Sequence, residues 1–270
     1  MLNPCLPKGY GSSLGERSFS MSDRDTWRPQ WADVTACIGL LSRIPVKVDN
    51  SWAETRGANQ SWAYALAGII IGGIAILAAS LGMALALPEQ AIGFIIIATT
   101  AYITGAMHYD GLADTLDGLW GGWTPAQRLD IMKDSHIGVY GVIGLVCFAG
   151  LQATLYGHIA TQSLWPVLGV MAMSRSVMVP VMTWVANAKT SGLSAQVGSP
   201  SIPTAILALT LGAFVAMLSG AWPAIFGGAI AALAVSAIAK HKIGGQTGDI
   251  LGATQQLAEV FALIFVITFR

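Results

Sequence analysis

The residues able to do chemistry in this chain concentrate in one short run. Five of its 14 acidic residues fall between Asp110 and Asp134. The first three, Asp110, Asp114 and Asp117, are spaced i, i+4, i+7, which on a helix sets them within about 40° of arc on one face. Like charges so placed repel one another, and beside an apolar phase the repulsion grows, so a cation is expected between them. Oxygen ligands with no neighbouring cysteine favour Mg²⁺, with Mn²⁺ as the alternative. Mg²⁺ commonly completes its shell with substrate phosphates, so a phosphorylated substrate is implied. Asp130 and Asp134 repeat the i, i+4 spacing after the turn Gly121-Gly122-Trp123-Thr124-Pro125. They would bring a second acidic face to the same ion or to a second one, with Lys133 and Arg128 beside them as candidate phosphate contacts. A solvated acidic helix with an Asp130–Lys133 ion pair is the plainer reading. Against it, Leu, Ala and Gly between the aspartates leave few surface-type residues to accompany a solvated face.

Two further places could close a pocket. Arg175 lies within an apolar stretch, where an unpaired arginine costs at least ~2.5 kcal/mol. It must have an anionic partner, either an aspartate of the cluster or a diphosphate. The loop Gly244-Gly-Gln-Thr-Gly-Asp249 precedes the last apolar stretch. It reads either as a glycine turn with Asp249 as N-cap or as backbone N–H groups open to phosphate. His108 points about 160° away from the aspartates. Glu259, in the last apolar stretch, either faces the interior or hydrogen-bonds a neighbouring helix.

The elements that must position these groups are membrane helices. Of 270 residues, 54% are hydrophobic and 10% charged, with 14 Lys+Arg balancing 14 Asp+Glu and a mean hydropathy of +0.62. Soluble domains carry roughly 25% charged residues, so a disordered chain is excluded and the composition argues against a soluble enzyme, and zero net charge argues against nucleic acid. Cys5, Cys37 and Cys147 lie far apart without metal or disulfide spacing. Apolar stretches long enough to cross a bilayer fall near 62–81, 91–107, 137–156, 164–186, 204–221, 222–239 and 250–269. The expectation is an all-α, polytopic membrane protein of about seven transmembrane helices. Residues 1–30 read as a flexible polar tail and 31–270 as a single transmembrane domain. With the tail inside, 1–61, 108–136, 187–203 and 240–249 share one side and hold 12 of the 14 Lys and Arg residues. The positive-inside tendency makes that side, and the active site with it, cytoplasmic.

The run His108-x-Asp110-Gly-Leu-Ala-Asp114-Thr-x-Asp117-Gly118, followed by Ile131-Met-Lys-Asp-Ser-x-Ile-Gly138, resembles the signature of the cobalamin synthase (adenosylcobinamide-GDP ribazoletransferase) family. Further matches are Ser42-Arg-Ile-Pro-Val46, Arg175 and Gly245-x-Thr-Gly-Asp249. Tyr64-Ala65 departs from a Phe-Pro pair, and Val139 stands where Thr is usual; neither touches the carboxylates. The resemblance implies a multi-pass enzyme of the cell inner membrane. It would join adenosylcobinamide-GDP to alpha-ribazole, or to its 5′-phosphate, and release GMP. Association with other enzymes of corrinoid synthesis is a further expectation. One or two Mg²⁺ would sit on Asp110, Asp114, Asp117 and Asp134, with Asp114 or Asp134 as the base for the ribose hydroxyl. Lys133 and Arg175 would contact phosphate, and Ser135 would donate a hydrogen bond or cap the next helix. Thr247 and Asp249 complete the substrate-binding set.

Two other readings stand beside this one. Asp114-x-x-Asp117-Gly118 and Asp130-x-x-x-Asp134 are similar to the aspartates of CDP-alcohol phosphotransferases, although the Ala-Arg pair expected after the glycine is replaced by Leu119-Trp120. A cation-coupled transporter would also use intramembrane acids and an arginine. Its site would lie at the midplane between repeat halves, whereas these aspartates fall between two apolar stretches at the charged side.

Overall fold

The computed structural model of the protein describes residues 28–189 and 193–269, so the tail expected over 1–30 lies almost wholly outside the described residues. Among the described residues thirteen helices follow in order: α1 (Trp31–Leu41), α2 (Asn50–Arg56), α3 (Tyr64–Ala84), α4 (Glu89–Thr104), α5 (Met107–Gly121), α6 (Pro125–Ile131), α7 (Val139–Gln162), α8 (Trp165–Ser176), α9 (Met178–Trp184), α10 (Leu193–Val197), α11 (Ile202–Leu218), α12 (Ala224–Ile243) and α13 (Gly248–Phe269). A 3-10 turn, Gly57–Ala63, joins α2 to α3. The described residues contain no strand, only one parallel bridge between Asn187 and Gln246.

Among the described residues five helical stretches are long and apolar enough to cross a membrane: Asn50–Ala84, Val139–Gln162, Trp165–Trp184, Ala224–Ile243 and Gly248–Phe269. The bent pair α4 and α5 passes the same test only when the two are taken together as one span. This is a multi-pass helical membrane protein, and the expected count of seven is where the structure differs. The stretch near 204–221 is α11, whose 17 residues leave it just shorter than the five, and α4 alone, at 16 residues, is shorter still and passes only together with α5.

The bend between α4 and α5 decides where the aspartates go. Gly105 (φ +62°) closes α4 in the left-handed conformation, and Ala106 (φ +58°) repeats it. Two left-handed residues in succession cannot continue a helix, and α5 leaves at 93° to α4. If α4 runs across the bilayer, α5 runs along its face, so Asp110, Asp114 and Asp117 lie at the end of the bundle, outside the spans. Arg43 of the Ser42-Arg-Ile-Pro-Val46 match braces this corner, its backbone N–H bonding Ile103 O at 2.6 Å.

The same end is anchored by a buried ion pair. Asp33 of α1 accepts from Arg56 Nη2 at 2.7 Å, Arg56 Nε at 2.9 Å, Trp62 Nε1 at 2.8 Å and Trp52 Nε1 at 3.1 Å. A carboxylate so saturated is compensated for its loss of water. The result fixes α1 across the start of α3, and α1 becomes one wall of the site.

Candidate active site

Helices α5 and α13 meet backbone to backbone. A side chain on Gly111 would stand 2.9 Å from Asp249 O and 3.3 Å from the Gly252 Cα, so only glycine allows the crossing. That contact sets Asp110 and Asp114 beside Asp249. Lys189, which enters from the segment after α9, lies 3.5 Å from Asp249 Oδ2.

Asp249 is free to face the cavity because it does not cap α13. Thr247 does: its Oγ1 accepts from Ile250 N at 3.3 Å and donates to Asp249 Oδ2 at 3.1 Å. The N-cap reading of Asp249 is corrected on this point. The loop before it is held by backbone bonds, Gln246 N to Ala186 O and Ala188 N to Gln246 O, both 2.8 Å. Ser194 Oγ adds bonds of 2.9 Å to Asn187 Oδ1 and Gln246 Oε1.

These residues rim a cavity of about 260 Å³ that opens at the end of the bundle. Its polar lining includes Asp110, Asn187, Lys189, Thr247 and Asp249, and its apolar lining Leu40, Leu41, Tyr64, Met107, Met178 and Met182. Asp114 lies one helical turn beyond Asp110 on the same face of α5. Burial first, and then the charges of Asp110, Asp249 and Asp117, push the Asp114 carboxyl up to about 6, with Lys189 opposing.

Asp117 has a different task. Its Oδ2 accepts from Gly138 N at 2.8 Å and its Oδ1 from Gly141 N at 2.9 Å, so a carboxylate on α5 supplies the cap at the start of α7. Any side chain at Gly138 or Gly141 would collide with those oxygens, which explains the glycine that ends the second signature run. The negative charge also complements the helix N-terminus.

The second acidic pair does not join the first. Asp130 is exposed and bridges Lys133 at 3.7 Å, the plainer reading above. Asp134 is exposed and bonds His136 Nδ1 at 2.7 Å. That hydrogen bond holds Asp134 below, and His136 above, the ordinary range. Ser135 is likewise exposed, and Asp117 rather than Ser135 caps α7. Arg128 is occupied as a brace, bonding Gly122 O at 3.0 Å and Lys242 O at 2.9 Å. A short polar link between α6 and α7 leaves these side chains facing outward instead of back toward α5.

Arg175 is also placed elsewhere than the spacing implied. It is 2% exposed, deep between α8 and α13, with Nη1 3.7 Å from Glu259 Oε2. Glu259 in turn accepts from Tyr156 Oη at 2.7 Å and from Gln255 Nε2 at 2.5 Å. Its anionic partner is therefore Glu259, which the sequence left uncommitted, and not an aspartate of the cluster. Lys189 is the cation that sequence reasoning missed. Its signal was weak, the lone charge between Arg175 and Lys240, just past an apolar stretch.

Carboxylate oxygens at one cavity edge are donors that Mg²⁺ could use, although the His108 imidazole and three methionine thioethers line the same cavity. Among the described residues no three acidic, His or Cys groups form a ready cage, so an ion here would take much of its shell from substrate phosphate and water. Asp110, Asp114 and Asp249 fit that description, whereas Asp134 and the cap-forming Asp117 do not.

Comparison with known proteins gives the family. Residues 33–267 match the family described as Cobalamin-5-phosphate synthase. The chain is 35% identical over 261 residues to a protein of Bradyrhizobium diazoefficiens, covering 91% of this chain and 97% of that one. It is 36% identical over 248 residues to one of Brucella canis, covering 86% and 95%, and 37% identical over 251 residues to one of Sinorhizobium medicae, covering 87% and 96%. Each of the three is named adenosylcobinamide-GDP ribazoletransferase. No solved structure matches the chain.

Proposed function

Because this chain belongs to the cobalamin-5-phosphate synthase family, we propose that it joins adenosylcobinamide-GDP to alpha-ribazole, or to alpha-ribazole 5′-phosphate, and releases GMP. The product is adenosylcobalamin or its 5′-phosphate. The observation that carries the reading is that Asp110, Asp249 and Lys189 line an open, largely apolar cavity, with Asp114 electrostatically coupled to all three. Carboxylates and a lysine in such a lining suit a diphosphate, and its apolar part suits an apolar acceptor.

In the proposed reaction a ribose hydroxyl oxygen bonds to the phosphorus nearer cobinamide, and the bond from that phosphorus to the oxygen bridging to GMP breaks. Asp114 is assigned to take the hydroxyl proton, since burial and three neighbouring carboxylates oppose its charge. Lys189 is assigned to the departing phosphate, where fixed positive charge stabilises the anion as it forms. Asp110 and Asp249 are assigned to hold Mg²⁺, which when bound would neutralise the diphosphate. Asp117 acts at one remove, fixing α5 against α7.

Residues 31–270 are proposed as one transferase domain in the cell inner membrane. The cavity end, which also carries Arg43, Arg56, Lys189 and Lys242, is proposed to face the cytoplasm. The test is GMP release by purified protein given adenosylcobinamide-GDP and alpha-ribazole 5′-phosphate, with Mg²⁺ and with chelator. Release in Mg²⁺ that chelator abolishes supports the reading. No release in either condition removes the reaction, and release unaffected by chelator removes the metal.

A further inference from the structure

The cavity lining combines two carboxylates and a lysine with a larger apolar set, and the proposed reaction has two substrates of unlike chemistry. Resting on the reaction proposed above, we propose that the apolar part of this lining is the subsite for the benzimidazole base of alpha-ribazole, with Met178 and Met182 as the residues that set which base is accepted. The diphosphate of the other substrate then stays at the Asp110–Lys189–Asp249 mouth.

Size is the first argument. At about 260 Å³ the cavity falls just below the roughly 300–1,000 Å³ of sites for drug-sized ligands. It accepts a two-ring aromatic with part of a ribose, and it cannot enclose a corrin macrocycle. Polarity is the second. Guanine carries several amide-type donors and acceptors, each of which would be left unpaired against Leu40, Leu41, Met178 and Met182. A dimethylated benzimidazole carries one in-plane ring nitrogen and is otherwise hydrocarbon. The third argument is the wall itself. Leu41, Tyr64, Met178 and Met182 are 2–5% exposed, so the apolar part is interior to the protein and not lipid-facing surface. Three methionines, Met107, Met178 and Met182, line it, and thioether sulfur packs favourably against aromatic rings.

An unmet hydrogen bond completes the case. His108 lines the same cavity, is 2% exposed, and its Nε2 has no hydrogen-bond partner among the described residues. Buried polar atoms are rarely left so. The single ring nitrogen of the base is a group that could meet it. A base lying among the methionines carries its ribose toward Asp110 and Asp249, where the hydroxyl must arrive.

The experiment uses the full chain in detergent or nanodiscs, with Met182→Phe to shrink the subsite and Met182→Ala to enlarge it. Two quantities are read: binding of alpha-ribazole 5′-phosphate by calorimetry, with and without the GDP-linked substrate, and GMP release with dimethylated against unmethylated benzimidazole ribotides. Met182→Phe should weaken alpha-ribazole 5′-phosphate and turn selectivity about tenfold toward the unmethylated base, as a lost methyl-sized space does. Met182→Ala should relax selectivity in the opposite direction. The KM for adenosylcobinamide-GDP should stay within about twofold for both. Turnover with unchanged base selectivity in the variants, or equal weakening of both substrates, overturns the subsite while leaving the reaction standing. Failure of the wild type to bind alpha-ribazole 5′-phosphate in either condition also overturns the subsite. Wild-type protein that binds it, loses it on Met182→Phe and yet releases no GMP overturns the reaction and leaves the subsite standing.

Discussion

Lys189 lies 3.5 Å from Asp249 across the cavity mouth, and the two side chains are 18% and 26% exposed. A half-screened pair of this kind adds little stability in itself. Its position gives it consequence, because Lys189 is the cation that opposes the repulsion on Asp114. Lys189→Met should lower kcat/KM for GMP release about 100-fold, equivalent to about 2.7 kcal/mol of transition-state stabilisation. Lys189→Arg should recover part of it. A variant with normal kcat/KM would take Lys189 away from the phosphate.

The two acidic runs, alike in spacing, separate in space, and turnover should separate them too. Asp114→Asn is expected to reduce kcat by about 10³-fold while the protein stays folded in the membrane. Asp134→Asn, which loses only a surface bond to His136, should change kcat less than about threefold. Equal losses in the two variants would return Asp134 to the site.

That contrast shows what the sequence could and could not convey. The i, i+4, i+7 spacing placed Asp110, Asp114 and Asp117 on one helix face, and the apolar stretches placed that helix at the end of a membrane bundle. Periodicity is a local property, and both statements are local. Which carboxylate faces a cavity depends on helix crossings, and the crossing of α5 with α13 at Gly111 and Gly252 is fixed by contacts between residues some 140 apart in the chain. Asp117 looked identical to its neighbours in type and phase, yet the approach of α7 at Gly138 and Gly141 gave it a cap to supply. The span count missed for a related reason: hydropathy saw an apolar run near 204–221, and only the helix ends showed that α11 has 17 residues.

The raised Asp114 carboxyl carries a stability consequence separable from catalysis. Its folded value of about 6 exceeds the unfolded value of about 3.9, so the folded state holds the proton more tightly. That contribution is present below about pH 4 and is lost as pH rises through about 6. Asp114→Asn cannot ionise. In chelator, its melting temperature in detergent should match the wild type near pH 4 and exceed it increasingly up to about pH 7. A gap that does not change with pH would mean that the carboxylate is not electrostatically strained. Mg²⁺ should narrow the gap for the wild type, since the ion favours the charged form.

Arg175 and Glu259 can be tested as a buried pair, because breaking one and replacing both have different costs. Each is at most 3% exposed, so Arg175→Met strands a buried carboxylate and should destabilise by about 3–5 kcal/mol. Arg175→Met combined with Glu259→Gln removes both charges. It leaves Tyr156 Oη and Gln255 Nε2 a neutral amide to bond in place of the carboxylate they now meet. The double variant should regain most of the lost melting temperature. If Arg175 serves the bundle, the double variant also keeps kcat/KM within about tenfold of the wild type. If Arg175 reaches a diphosphate, stability returns without activity, and the buried pair becomes a resting position from which the arginine must move.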